Sequence, residues 1–499
     1  MFAMRDAIGH YEQARQLMTE HRLQVPTGEL AHLFTRLGRA YEHRNEASAA
    51  HAIYQTMLES ARHNADPGME CAALNHLAVL VSEDFSQLGN ALALLQAALV
   101  VAERHQDRRG IAETQWSMAR VNYYILNLDT SLTYAKQAYA LACELEEQDL
   151  AAKTFNILAY TTRALGQWEE AAAFAEEARQ HFVAQGDRMM EADCLSRIAD
   201  ARINCGQPYE GLTAARLAYA ISCEIEHPWG QANCGYQLVR NLLEIGSYEE
   251  ALTIALQCTE IARTLTFNII LFVNLVSLGL AYQALLLPEK ALQAHLEALE
   301  TSKKVPSSRY IGLSISLLCV DYALAGDWET AASYARQALA IRNPREVVCP
   351  EVPRWPETFA LVQAGASAQA TEDLEAFQQL FGGNKRCSIS YARACAVLAE
   401  AQGESERARL CLQEASAAAK TIGLPGELWQ AEAALARLYM ARAEHEQATL
   451  AFARAAAIVE ELAGKITNYE LRSQFLASPQ VQALFKRVSD PHDHRDLHT

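Results

Sequence analysis

The sequence predicts an all-α fold, an α-α superhelix of about 11 to 12 antiparallel helix pairs, and three observations predict it. The first is a ladder of small residues. Ala91, Ser131, Ala171, Gly211, Ala251, Ala291 and Ala331 follow at steps of 40; Ala50 precedes them by 41, and Ala408 and Ala448 resume the step of 40 near the C-terminus. A period of roughly 20 to 50 residues marks one supersecondary unit repeated and stacked. The second is a recurring phrase that ends on the ladder: Gly166-Gln167-Trp168-Glu169-Glu170-Ala171, Gly246-Ser247-Tyr248-Glu249-Glu250-Ala251 and Gly326-Asp327-Trp328-Glu329-Thr330-Ala331. The third is sparse punctuation, with 23 Gly and 13 Pro in 499 residues, which leaves room for long helices.

Within a repeat the spacing dictates helix, turn, helix. In the seventh, Leu278, Gly279 and Tyr282 share one helical face, Leu287-Pro288 makes the turn, and Ala291, His295 and Ala298 share a face of the next helix. Small residues at 279, 291 and 298 let the two helices approach closely. The glycine before the aromatic suits a helix C-terminus, and the glutamates after it sit in the first turn of the next helix, where the macrodipole favours them.

In chain order, residues 7–18 read as the second helix of a partial leading unit, within an N-terminal superhelix of about eight repeats over 1–342. Residues 343–356 carry four prolines and predict a break between two stacks. A second stack of helix pairs is expected over 357–488, with a degenerate unit at 357–381, and the polar residues 489–499 are expected to be a disordered tail. The run from Thr264 to Pro288 holds no charged residue and is long enough to span a bilayer, but it falls in register as the first helix of the seventh repeat. A helix with neighbours on both sides can be apolar nearly all round, so it reads as buried.

The repeat resembles the tetratricopeptide repeat (TPR). Leu37-Gly38, Tyr41, Ala50 and Tyr54 match in the first clear unit; Leu158-Ala159, Ala171 and Ala178 match in the fourth; Leu435-Ala436, Tyr439, Ala448, Phe452 and Ala455 match near the end. The resemblance covers nearly the whole chain and implies a TPR solenoid, which makes 357–488 a TPR-like stack. The period exceeds the usual 34 of about that family, implying helices about one turn longer and a spacer between units. Near the end, Tyr469-Glu470-Leu471-Arg472, Phe475-Leu476 and Pro479 resemble the closing helix of TPR sensor regions attached to bacterial signalling ATPases and nucleotide cyclases. That implies a regulatory module in bacterial signal transduction.

Charge and chemistry narrow the function. With 43 Lys+Arg against 60 Asp+Glu the net charge is −17, which opposes direct nucleic-acid binding and adhesion to anionic membranes. The twelve cysteines are scattered without a Cys-x-x-Cys pair and read as small buried hydrophobes of a cytoplasmic chain. Gly464-Lys465 lacks the upstream glycine and following hydroxyl of a phosphate loop. His492, Asp493, His494 and His498 sit in the polar tail, where adventitious metal binding outweighs a designed site. His295 reads as a packed core residue. No enzymatic activity, cofactor or metal is expected.

What remains is binding. First helices of stacked pairs line a concave face, and the register puts Trp116, Arg120 and Tyr123 there in the third unit. Lys153, Asn156, Tyr160 and Arg163 follow in the fourth, Asp193, Ser196 and Asp200 in the fifth, and Asn233, Tyr236 and Arg240 in the sixth. Units seven and eight offer Val273, Val276, Leu280, Leu313 and Val320, an apolar strip that suits hydrophobic side chains or a dimer face. Guanidinium forks grip carboxylates and rigid aromatics give contact area. The candidate partner-binding residues are therefore Trp116, Arg120, Tyr123, Asn156, Tyr160, Arg163, Asp200, Tyr236 and Arg240, and the expected partner is a protein or peptide, acidic or carboxylate-ended. The alternatives are a solvated inner face whose residues contact one another, and a small-ligand sensor region of an ATPase transcription regulator or nucleotide cyclase.

Overall fold

The computed structural model describes residues 2–20, 26–44, 46–82, 87–265, 267–305, 308–341, 353–381 and 384–489. Among these residues there are 25 α-helices and no strand. The chain divides into two compact units, 1–161 and 162–499.

In the first unit α1 (Phe2–Glu20) leads three pairs: α2 (Thr27–His43) with α3 (Ala47–His63), α4 (Pro67–Val81) with α5 (Leu88–Arg104), and α6 (Arg108–Tyr124) with α7 (Leu128–Glu144). The division falls inside α8 (Gln148–Ala164), which is paired in sequence with α9 (Trp168–Gln185). The second unit continues with α10 (Arg188–Asn204) and α11 (Pro208–Glu224), α12 (Pro228–Glu244) and α13 (Tyr248–Thr264), and α14 (Asn268–Ala284) and α15 (Pro288–Ser302). Then come α16 (Ser308–Leu324) with α17 (Trp328–Ile341), α18 (Arg354–Gln363) with α19 (Ser367–Phe381), and α20 (Lys385–Ala401) with α21 (Ser405–Ile422). The last pair is α22 (Pro425–Ala441) with α23 (His445–Gly464), followed by α24 (Tyr469–Ala477) and α25 (Pro479–Ser489).

The ladder has a simple cause. Each ladder residue is the fourth of its second helix, and Ala50, Ala91, Ser131, Ala251, Ala291, Ala331, Ala408 and Ala448 are all fully buried there. Ala370 holds the same place in α19 and marks the degenerate unit. At Gly211 even a methyl group is excluded, since a Cβ would lie 2.4 Å from Asn241 Oδ1. The period of 40 comes mainly from helices of 17 residues joined by links of three, so the added length sits in the helices and no spacer separates the pairs. Among the fully described three-residue links, each turns on one residue in the left-handed region: Gly166, Gly206, Gly246 and Gly326 do so at φ of 76°, 77°, 77° and 82°. Glycine adopts that backbone without the roughly 1–2 kcal/mol penalty of other residues, which explains the repeated phrase.

The uncharged run is α14, packed against α12, α13 and α15 with Phe272 and Leu275 fully buried. The amide of Asn274, which interrupts the run, is held internally: its Nδ2 donates to Ala232 O (3.2 Å) and Ile270 O (2.8 Å). No helix among the described residues is long and apolar enough to cross a membrane. Of the proline-rich segment 343–356, residues up to 352 lie outside the described residues; its last residues, Arg354 to Pro356, open α18. One core cluster spans it, joining Ala331 and Ala335 to Leu361, Phe377 and Leu398, and the two-unit division falls at 161/162 instead. The tail from 490 lies outside the described residues, and the predicted closing helix is two helices, α24 and α25, meeting at Pro479.

The second unit curls back on itself. Helix α20 packs on α10 and α22 on α12. Asn384 Nδ2 donates to Asn204 Oδ1 (2.7 Å), and Glu249 accepts from the backbone N–H of Thr467 (2.5 Å) and Asn468 (3.1 Å). This closure positions the site described next.

Gly279→Ala tests the close approach. Its Cβ would lie 2.1 Å from Nε2 of fully buried His295, whose Nδ1 is fixed 2.6 Å from Asp321 Oδ2. Overpacking here is expected to cost about 1–3 kcal/mol, read as a lower urea midpoint with an unchanged slope.

Candidate binding site

The predicted residues divide between the units. In the first, Trp116 Nε1 donates to Lys153 O at 3.1 Å, and Lys153 Nζ stands 5.7 Å from the Trp116 ring. Burial and neighbouring Arg39 hold the Lys153 ammonium below its usual pKa. Arg120 Nε donates to Tyr124 OH at 3.2 Å with its guanidinium over the same ring, and Tyr123 meets half-buried Tyr160 edge-on at 5.5 Å. Asn156 is half-buried on the same helix as Tyr160.

In the second unit Arg163 and Arg240 hold an internal carboxylate. Asp200, almost fully buried, takes Arg240 Nη1 at 2.6 Å and Arg163 Nη1 at 3.2 Å. Burial alone would raise its pKa, but the two guanidiniums overcome that and lower it. Arg240 Nη1 also reaches Tyr236 OH at 3.3 Å and Gln237 Oε1 at 3.0 Å. The apolar strip is core: Val276 and Val320 are buried and pack with Val273, Leu280 and Leu313 on Phe272, Leu275 and Leu317. Stacking of α14, α15 and α16 buries most of it, while Leu280 and Val320 keep an edge toward the space described next.

A cavity of about 300 Å³ opens inside the second unit, walled chiefly by the first helices α12, α14, α16, α18, α20 and α22, with α25 at one side. Of the predicted residues it takes Arg240 alone; Leu280 and Val320 form part of its apolar wall. Five arginines, at 240, 386, 393, 437 and 487, line it against two glutamates, Glu244 and Glu427. Arg386 bridges both acids, with Nε to Glu244 Oε2 (2.8 Å) and Nη2 to Glu427 Oε1 (2.8 Å), and Arg393 Nη1 takes Glu427 Oε2 (2.7 Å). The Arg393 guanidinium stacks 4.9 Å above the Trp355 ring.

The acids respond differently to the same burial. For Glu427 burial pushes the pKa up, but Arg386 and Arg393 more than offset it and hold it at about 2. Glu244 has Arg386 as its close partner and feels Glu427 as a like charge, so burial wins and its pKa rises. Arg437 is exposed and lines the cavity; it feels the opposite charge of Glu400 but makes no hydrogen bond or ion pair among the described residues. Desolvation by the surrounding protein and the like charge of Arg393 lower its pKa. The site is thus a cationic interior in an acidic chain.

Arg386, Arg393, Arg437, Glu244, Glu427 and Trp355 were missed by sequence reasoning. The register carries a signal for two of them: Arg393 is the ninth residue of α20, the position held by Trp116, Asn156 and Tyr236 in earlier first helices. Arg437 is the thirteenth residue of α22, the position held by Arg120, Tyr160, Asp200, Arg240, Leu280 and Val320 in earlier first helices. Elsewhere, the eleven described cysteines are all free, and no group of three His, Cys, Asp or Glu among the described residues could hold a metal ion. The tail histidines lie outside the described residues.

With this geometry the chain is a helical-repeat protein of the TPR type, and solved structures agree. It superposes on a Rap protein complexed with Competence and Sporulation Factor at a TM-score of 0.50 and 14% identity, covering 80% of this chain and 100% of that one. It superposes on the APC/C hetero-tetramer Cut9-Hcn1 at 0.51 and 15%, covering 97% and 95%. At such identities the likeness shows the fold alone. No protein-family model matches the chain, and no curated protein matches it in sequence.

Glu427→Gln leaves Arg386 and Arg393 facing a neutral amide in a buried seam, an expected loss of about 3 kcal/mol at pH 7. The Glu427 pKa is depressed on folding, so its contribution is present above the ordinary carboxylate pKa of 4.5 and is lost as pH falls toward about 2. The gap in melting temperature between wild type and variant is therefore expected to narrow over that window, measured by thermal denaturation at stepped pH.

Proposed function

We propose that this chain is a non-catalytic TPR-type scaffold that binds a protein or peptide partner, and that an acidic segment of the partner enters the cavity of the second unit. One observation carries the reading: five arginines against two glutamates line a cavity inside a chain of net charge −17. A low-dielectric cleft of one sign focuses its field and raises the local concentration of opposite charge. The size suits a few residues of extended chain rather than a folded domain, since ligand pockets span roughly 300–1,000 Å³. The Rap protein complexed with Competence and Sporulation Factor and the Cut9-Hcn1 assembly are examples of partner binding by this fold. The resemblance of the Tyr469 to Pro479 run to TPR sensor regions supports a regulatory role in bacterial signal transduction.

The same size supports a second reading, a sensor of a small anionic ligand. Both are tested with Ala284→Trp, which puts an indole into the cavity wall. Immobilised wild-type protein, offered a tryptic peptide pool from a bacterial proteome, is expected to retain Asp- and Glu-rich members. The variant, with its melting temperature checked, should retain about a tenth as much or less. Equal retention by both proteins overturns the cavity as the site. Retention by neither, with wild type alone stabilised by a small-molecule extract, favours the sensor.

A further inference from the structure

We propose that Arg437 receives the C-terminal carboxylate of a peptide whose last side chain is apolar; this rests on the peptide reading above and names the end by which the peptide binds. The charges inside the cavity do not balance. Arg240 has Asp200, Arg386 has Glu244 and Glu427, and Arg393 shares Glu427, whereas Arg437 feels only the charge of Glu400, outside the cavity lining, has no hydrogen-bonded or ion-paired partner among the described residues and opens into the cavity. A free guanidinium fork matches one carboxylate.

Two further donors in the same lining lack an acceptor. Arg386 is more than nine-tenths buried, and its Nη1 makes no hydrogen bond among the described residues; neither does Trp355 Nε1. Buried donors without partners are uncommon in native folds and point to an absent ligand atom or water. The surroundings of Arg437 select what carries the carboxylate. Ala433 and Met440 flank it on the same face of α22, at four residues before and three after, and buried Phe452 faces the cavity from α23. At a C-terminal apolar residue the carboxylate and the apolar side chain leave the same Cα, so both reach this corner together. An internal Asp or Glu brings the charge on its own side chain, so any apolar group comes from a different Cα.

The test uses two random pentapeptide libraries of equal composition, one with free C-termini and one amidated, offered to the full chain and read by mass spectrometry. Wild type is expected to retain free-carboxylate members ending in Leu, Ile, Val, Phe or Met at least about tenfold over amidated ones. Arg437→Ala removes no hydrogen bond or ion pair, only the longer-range attraction of Glu400, so a cooperative unfolding transition close to that of wild type and loss of that preference are expected. Arg437→Lys should recover part of it, and Trp355→Phe, which keeps the ring under Arg393, should weaken retention several-fold. Equal retention of both libraries, a preference for acidic last residues, or an unaltered preference in Arg437→Ala overturns the proposal while leaving peptide binding in place. Retention of neither library overturns both.

Discussion

Arg386 bridges two carboxylates supplied by distant parts of the second unit, Glu244 at 142 residues' separation and Glu427 at 41. Nearly everything distinctive about the second unit depends on that guanidinium. Burying a charge costs several kcal/mol unless excellent geometry and further hydrogen bonds repay it. Here the repayment is shared: Arg386 gives two bonds to Glu244 and one to Glu427, and Arg393 takes the remaining oxygen of Glu427. The network spans α12, α20 and α22, so the cavity wall exists in this form only while these helices stay together.

The closing seam differs chemically from the stack it closes. Successive pairs are held mainly by small and aliphatic side chains that interdigitate, as where Ala331, Ala335, Leu361 and Phe377 form one core cluster, with Asp200 between Arg163 and Arg240 as a polar exception. The seam, which includes a ring contact of Tyr248 with Phe475, adds an amide pair, Asn204 with Asn384, the Arg386 ion pairs, and Glu249 receiving two backbone N–H groups at the start of α24. Apolar packing is non-directional and tolerates sliding, whereas these contacts demand one register. A repeated helix pair sets a curvature through many small equal rotations, and the polar seam selects the one curvature at which donors meet acceptors.

This difference explains what the sequence reveals. The ladder is legible because its cause is local: the fourth residue of each second helix must be small wherever two helices nearly touch, so Ala50 through Ala448 repeat on a fixed period. Closure leaves no such trace, since the Lys465 and Thr467 contacts join residues some 220 apart in the chain and each occurs once. The inner face was only partly legible for the same reason. Register finds the thirteenth position of each first helix, and Arg240 and Arg437 both occupy it. Whether such a residue faces solvent, an internal carboxylate or a cavity depends on which wall stands opposite. Asp200 turns Arg163 and Arg240 inward, and packing among α14, α15 and α16 makes the strip of Val276 and Val320 core.

The buried glutamates therefore do more than neutralise charge. With Glu244 and Glu427 in place, Arg386 and Arg393 are held in single orientations, and Arg393 is stacked on Trp355. A ligand entering the cavity meets donors whose rotamers are already fixed, which lowers the ordering cost of binding. An all-arginine lining would offer more attraction but suffer mutual repulsion, which already adds to the effect of desolvation in lowering the pKa of Arg437 beside Arg393. Pairing most guanidiniums and leaving one open yields a cavity that holds its shape when empty and has one cationic position left to fill.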